Sequence, residues 1–149
     1  MHYSRRLVVP VSQHAAFDYL SRFSSAAEWD PAVRSARMVS LEPVGFGSTF
    51  ALDTVFMGKT VSLRYEITEY EPPHRVVLVA ETASVRSTDE ITVSTDASNK
   101  TVVEYRADLA LRGPTRLAAP IVALAFRRIG DRAADGLLSA LTAVARNRS

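Results

Sequence analysis

One stretch limits the fold more than any other: the run from about Pro120 to Arg146, preceded by the breaker pair Gly113-Pro114. Phe126, Ile129, Ala133, Leu137, Ala140, Leu141 and Val144 recur at helical spacing, while Arg128, Asp131, Arg132, Asp135, Ser139, Thr142 and Arg146 gather on the opposite side. That is the pattern of a helix with one buried stripe. At about 1.5 Å per residue it is on the order of 40 Å long, enough to cross a small domain. No other segment offers such a helix, and the middle of the chain reads as strands. One long helix lying across one sheet is therefore expected. The apolar stripe mixes bulky Phe126, Ile129 and Leu137 with small Ala133, Gly136 and Ala140. Small residues admit two readings: close approach of helix to sheet, or room left for something else.

Upstream of the helix the periodicity is two. Tyr3 to Val9 is rich in β-formers and stops at Pro10, which suits an opening strand. Ser12 stands in the N-cap position of a short helix over Gln13–Leu20, with Ala16, Phe17 and Leu20 on one face. Ser24–Trp29 gives a second helical segment, and Asp30-Pro31 stops it because a residue before proline is pushed out of the α region. Further strands are expected around Ala36, Met38 and Ser40, over Ser48–Phe56, Val61–Ile67, Arg75–Ala83, Val85–Thr95 and Thr101–Leu111. Turn residues at Pro43–Gly47, Met57-Gly58-Lys59, Pro72-Pro73 and Asp96–Lys100 separate them. Strands in an unbroken series favour an antiparallel meander whose concave face the long helix covers, an α+β arrangement with two short helices after the first strand.

A chain of 149 residues is expected to form one domain, residues 1–149. It has no Cys, which excludes disulfides, thiolate metal ligands and a cysteine nucleophile and accords with a reducing cytoplasm. The net charge is +2 with both signs interspersed, which makes no case for nucleic acid as a partner. The apolar run Leu7–Val9 is too short for a signal-peptide core. The most apolar window, Leu117–Phe126, contains Pro120 and has about half the length that spans a bilayer. A cytoplasmic protein without a transmembrane segment is expected. His2, His14 and His74 lie in unrelated segments with no metal-site spacing. Gly45-Phe46-Gly47 lacks the third glycine and the following helix of a dinucleotide loop, and there is no Gly-x-Ser-x-Gly elbow or P-loop. No cofactor or metal is expected.

Several segments together resemble the START/Bet v 1-like (SRPBCC) superfamily, especially its polyketide cyclase/dehydrase-like branch. They are Ala16–Leu20, Ala27–Pro31, the Val44–Gly47 turn, Tyr65–Val76, Ile129-Gly130 and Gly136-Leu137. The likeness covers essentially the full length, and its motifs mark turns and packing more than a reaction centre. It implies a helix-grip fold, a seven-stranded antiparallel sheet wrapped around the last helix with a deep apolar pocket between them. Members bind lipids, sterols, polyketides and other hydrophobic ligands, and a minority catalyse cyclisation or dehydration of bound polyketides. The fold alone does not choose among these. The resemblance does move the reading of the small helix residues toward a ligand-sized pocket.

By parity, the sheet face turned to the helix carries Phe50, Leu52, Phe56, Leu63, Tyr65, Val103, Tyr105 and Leu109. With Phe126, Ile129 and Ala133 of the helix, these are the expected ligand-binding residues. Trp29 is expected at the pocket mouth, as a ligand contact or as a packing anchor; Glu28 and Asp30 beside it either meet a polar ligand head or are simply solvated. Tyr65 and Tyr105 either orient a ligand carbonyl and act as weak acids, or are core tyrosines whose hydroxyls reach the rim. Asp89 shares parity with Val85, Ile91 and Val93, and an inward carboxylate has a raised pKa and serves as general acid or base. Its alternatives are a pair with a neighbouring-strand Arg or a hydrogen bond to loop backbone at the rim. Three functions follow. One is a binding protein for an apolar small molecule, a lipid or polyketide-like ring system. The second is a cyclase or dehydratase using Asp89 with Tyr65 or Tyr105 as acid and base around a ligand ketone. The third is an interaction module in which Leu117, Ile121 and Leu124, opposite the Phe126 face, pair with another subunit as a homodimer. The thin polar inventory of the presumed pocket favours binding.

Overall fold

The alternation in the middle of the chain builds a seven-stranded sheet in the order β1-β7-β6-β5-β4-β3-β2, with every neighbouring pair antiparallel. The computed structural model describes residues 1–148. β1 (His2–Val9) ends at Pro10. Ser12 caps α1 (Gln13–Ser21), its hydroxyl accepting the Ala15 N–H at 3.2 Å. A 3-10 turn over Phe23–Ser25 leads to α2 (Ala26–Trp29), which stops where Asp30 turns extended ahead of Pro31. The meander follows: β2 (Val33–Met38), β3 (Thr49–Phe56), β4 (Lys59–Glu71), β5 (Arg75–Glu81), β6 (Val85–Thr95) and β7 (Thr101–Leu111). β1 then lies beside β7. A second 3-10 turn, Gly113–Ala118, introduces the 30-residue helix α3 (Ala119–Arg148).

Several boundaries differ from the sequence reading, β4 most of all, which runs over Lys59–Glu71 and not Val61–Ile67 alone. β2 starts at Val33, where the period-two pattern begins, and stops short of Ser40: after the Val39 N–H donates to the Thr49 carbonyl at 2.9 Å, Ser40 Oγ accepts the Thr49 N–H at 2.9 Å. α3 starts one residue before Pro120 and runs two past Arg146. Proline is tolerated there because an N–H in the first turn has no intrahelical partner to lose.

Register shifts in β4, between Ile67 and Glu69, and in β2, between Val33 and Ser35, bend the sheet around the helix. α3 approaches closest to β1, β7 and α2, and two glycines make this possible. A Cβ on Gly130 would stand 2.8 Å from the Tyr3 ring, and one on Gly136 would overlap the Trp29 carbonyl oxygen. The β1 contact is fastened by the Tyr3 hydroxyl donating to Asp131 at 2.8 Å and by Arg5 meeting Asp135 at 3.2 Å.

The inner face is not uniform along its length. At one end Ile67, Leu78, Ile91, Val93 and Val103 share a cluster with Leu137 and Leu141 of α3, and none is more than 1% exposed. At the other end Phe56, Leu63, Val85, Leu109 and Leu111, on the same face of the sheet, remain half-buried, as do Phe126 and Ile129 of α3. One half of the sheet–helix interior is fully covered and the other, the open half, is covered only in part.

Candidate functional site

A polar cluster marks the boundary between the two halves. Tyr65, Ala80, Ser87 and Leu109 form one row across β4, β5, β6 and β7. Ala80 is short, so the Tyr65 hydroxyl reaches past it to Ser87 Oγ at 2.9 Å. In the adjoining row Asp89 lies between Leu78 and Ala107. Tyr105, two residues along β7 from Ala107, donates its hydroxyl to Asp89 Oδ2 at 3.4 Å, the diagonal contact that neighbouring strands allow to long side chains. Trp29 packs edge-on against Tyr105 and Phe23 edge-on against Tyr65, with ring centroids 5.8 and 5.1 Å apart. The segment between α1 and β2 thus roofs the cluster with aromatic rings. Tyr65, Ser87, Asp89 and Tyr105 each keep only 6–8% of their surface accessible.

Asp30 contributes a second carboxyl group. Its extended backbone ahead of Pro31 turns the side chain back on the following loop, where Oδ1 accepts the Ala32 N–H at 2.9 Å. Burial pushes its pKa up to about 6 against that bond. Asp89 is pushed up to about 7, first by burial and then by the negative charge of Asp30. Burial followed by the Asp89 charge raises both Tyr65 and Tyr105, which therefore stay neutral O–H donors. Among the described residues no Arg or Lys pairs with either carboxyl group. A buried acid titrating near neutrality beside two phenolic donors can hold a hydroxyl or carbonyl of a guest and can exchange a proton with it.

Two clefts open beside this segment. One of about 470 Å³ runs between α2 and α3, with Glu28, Trp29, Asp30, Gly136 and Ser139 among its walls. The other, about 320 Å³, lies between Pro31-Ala32, the Val55 and Met57 end of the β3–β4 hairpin, and Ala125, Arg128, Ile129 and Arg132 of α3. Both volumes fall in the range of about 300–1,000 Å³ usual for small-molecule sites. They are open clefts at the helix margin, not the deep enclosed pocket expected between sheet and helix. A third cleft, about 550 Å³, lies apart from the cluster, between residues 8–12 and 99–101. Among the described residues no group of three or more acidic or histidine side chains is placed to hold a metal, and no helix is long and apolar enough to cross a membrane.

The anticipated ligand contacts divide between the two halves. Phe50, Leu52, Val103 and Ala133 are sealed in the packed core at 0–2% exposure, whereas Phe56, Leu63, Phe126 and Ile129 keep free surface. Trp29 is an interior anchor and not a residue of the mouth: it is 2% exposed and its Nε1 donates to Ser25 Oγ at 3.2 Å. The Tyr65 and Tyr105 hydroxyls stay inside instead of reaching the rim, and Asp89 faces inward without the arginine or loop partner that would have explained it structurally. Ser87, which the sequence reading passed over, belongs to this cluster, and Asp30, read either as a contact for a polar ligand head or as simply solvated, is half-buried beside it. Ser87 shares the parity of Asp89, a signal that was readable; the burial of Asp30 depends on how the loop folds over the sheet.

Residues 1–144 match the family model described as polyketide cyclase / dehydrase and lipid transport. The chain belongs to that family. No curated protein matches it. Among solved structures, a START superfamily protein from Mycobacterium smegmatis is similar at a TM-score of 0.73 and 13% identity, covering 99% of both chains. A protein from Thermus thermophilus reaches a TM-score of 0.80 at 16% identity, covering 97% of this chain and 99% of that one. Zhui aromatase/cyclase from Streptomyces reaches 0.72 at 17% identity, covering 99% and 94%. At these identities the likeness is one of fold. This polyketide cyclase/dehydrase family member therefore has the START/Bet v 1-like helix-grip architecture, a fold of hydrophobic-ligand binders and polyketide cyclases.

Proposed function

We propose that the chain is a one-domain cytoplasmic binding protein for a hydrophobic small molecule, a lipid or polyketide-like ring system. The guest lies in the open half between Phe56, Leu63, Leu109, Phe126 and Ile129, with its polar end toward Asp89, Tyr105 and Tyr65. The observation that carries this reading is an apolar inner face left half-buried and ending on a buried carboxyl group. Apolar surface of that kind is stabilised by covering it, at roughly 25 cal/mol per Å². The cluster holds two acids, three hydroxyls and no base, so it suits a neutral guest that offers a hydroxyl or amine donor. A free carboxylate would meet Asp30 and Asp89 with no compensating cation.

A second reading has one observation in its favour. Asp89 and Tyr105 are already 3.4 Å apart, so both reach a single bound group. In a cyclase or dehydratase, Asp89 would take the proton from the carbon next to a ketone while the Tyr105 or Tyr65 hydroxyl donates to the ketone oxygen.

Native mass spectrometry of freshly purified protein, with Nile red titration as an apolar probe, tests the binding reading. A co-purified apolar mass and saturable Nile red fluorescence are expected, with Ile129→Trp, which fills the open half, lowering dye affinity at unchanged Tm. Non-saturable fluorescence, or an Ile129→Trp variant that binds as well as the native chain, would remove it. Turnover of a poly-β-ketone thioester that Asp89→Asn abolishes while dye affinity holds would establish the second reading in its place.

A further inference from the structure

The outward stripe of α3 changes character along its length. From Arg128 onward it is polar, through Asp131, Asp135, Ser139 and Thr142. Ahead of Arg128 the same stripe carries Ile121 and Leu124, with Leu117 in the 3-10 turn before it, and these three are 61, 55 and 90% exposed respectively. They stand opposite the side that buries Val122 and half-buries Phe126 and Ile129. A helix that is apolar all round belongs between two apolar layers, and here only one is present. Met57, in the left-handed turn between β3 and β4 and 54% exposed, borders the 320 Å³ cleft opposite Ala125 and Arg128 of the same helix.

The segment that carries this face is basic. Residues 109–130 include no acid but hold Arg112, Arg116, Arg127 and Arg128, and Lys59 lies two residues beyond Met57. Arg112 is engaged by Glu81 at 2.8 Å. Arg116, Arg127 and Arg128 are exposed and make no ion pair among the described residues.

We propose that this face, the aliphatic ridge Leu117, Ile121 and Leu124 with its border of arginines, docks on an anionic lipid bilayer. Aliphatic side chains at i, i+4 and i+7 enter the boundary between headgroups and acyl chains while the guanidinium groups stay with lipid phosphates and carboxylates. A second copy of the chain fits less well. Twofold antiparallel pairing through the ridge would bring Arg116 of one copy toward Arg127 and Arg128 of the other, and the nearest acid along the stripe, Asp131, lies beyond them. Docking in this pose sets the Met57 and Ile129 cleft next to the bilayer, so an apolar guest would pass between lipid and the open half without crossing water. That consequence rests on the binding function proposed above; the docking itself does not.

The test is flotation of the full chain with vesicles of phosphatidylcholine alone and of phosphatidylcholine with phosphatidylserine. The chain is expected to float with the anionic vesicles at low salt, to stay behind with the neutral ones, and to be released by about 1 M salt, where screening lengths shrink to about 3 Å. The triple variant Leu117→Ser, Ile121→Ser, Leu124→Ser is expected to lose at least about tenfold in vesicle affinity with Tm and Nile red binding intact. The pair Arg116→Glu, Arg127→Glu is expected to lose anionic-vesicle binding. A native chain that stays behind with anionic vesicles, or a triple variant that floats equally well, overturns the proposal. So does a dimer in sedimentation velocity that the triple variant dissolves, which would give the face to a second copy. Vesicle binding needs no guest, so it succeeds or fails separately from dye binding.

Discussion

The filled and open halves of the interior are made from the same residue types, and they end differently. Under Ala133–Leu141 the helix has a glycine against the Trp29 carbonyl, and Leu137 and Leu141 are fully covered by the sheet. Val122–Ile129 follows a 3-10 turn, and its larger side chains, Phe126 and Ile129, are less buried than the smaller Ala133 and Ala134. Hydrophobicity does not separate the two halves. The distance of approach does, and glycines help to set it, Gly136 against the Trp29 carbonyl and Gly130 against the Tyr3 ring. Close packing and space for a guest, the two readings of the small helix residues, both apply, but to different turns of the same helix.

The largest expected effect breaks the filled half. Leu137→Ala removes a fully covered side chain and should cost between about 2 and 5 kcal/mol in urea unfolding; a loss below about 1 kcal/mol would mean that this half is not closed. Next in size is the boundary acid. Burial raises Asp89 to about 7 from a reference of 3.8, so between pH 4 and 7 the folded chain holds a proton that the unfolded chain has released. Stability is therefore whole below about pH 4 and falls as pH rises through about 7. Asp89→Asn removes the Asp89 share of that fall, leaving the smaller decline that Asp30, raised by burial to about 6, contributes; above neutrality the variant should be more stable than the native chain by up to roughly 4 kcal/mol, with no gain near pH 4. Unfolding curves across that range check it, and a native chain whose stability does not decline with pH contradicts the buried carboxyl group.

Gly136→Ala tests the contact that divides the halves. The added methyl meets backbone, which cannot rotate away, so a loss of about 2–3 kcal/mol is expected. Gly130→Ala meets the Tyr3 ring, which can tilt, and should cost less. The smallest effect belongs to the open half: Ile129→Ala should change stability by under about 1 kcal/mol while weakening Nile red binding. If Ile129→Ala proves as damaging as Leu137→Ala, the contrast between the halves is lost.

Much of this molecule was determined by the sequence alone. Period-two alternation specified the strands, because side chains must alternate across a pleated sheet. The 3.6-residue stripe specified one helix to cover them, and Pro10, Asp30-Pro31 and Pro72-Pro73 placed the breaks. Parity also directed Asp89, Tyr65 and Tyr105 inward, where they lie. Local pattern carries no information about distance between layers. Only the tertiary structure decided that Phe50, Leu52, Val103 and Ala133 are sealed while Phe56, Leu63, Phe126 and Ile129 are not, that Trp29 is interior, and that Asp30 folds in to share the field of Asp89. The reason is geometric. Burial and pKa depend on what a neighbouring layer brings within a few ångströms, and that depends on contacts such as those between residues 29 and 136 and between residues 3 and 130, each more than a hundred positions apart.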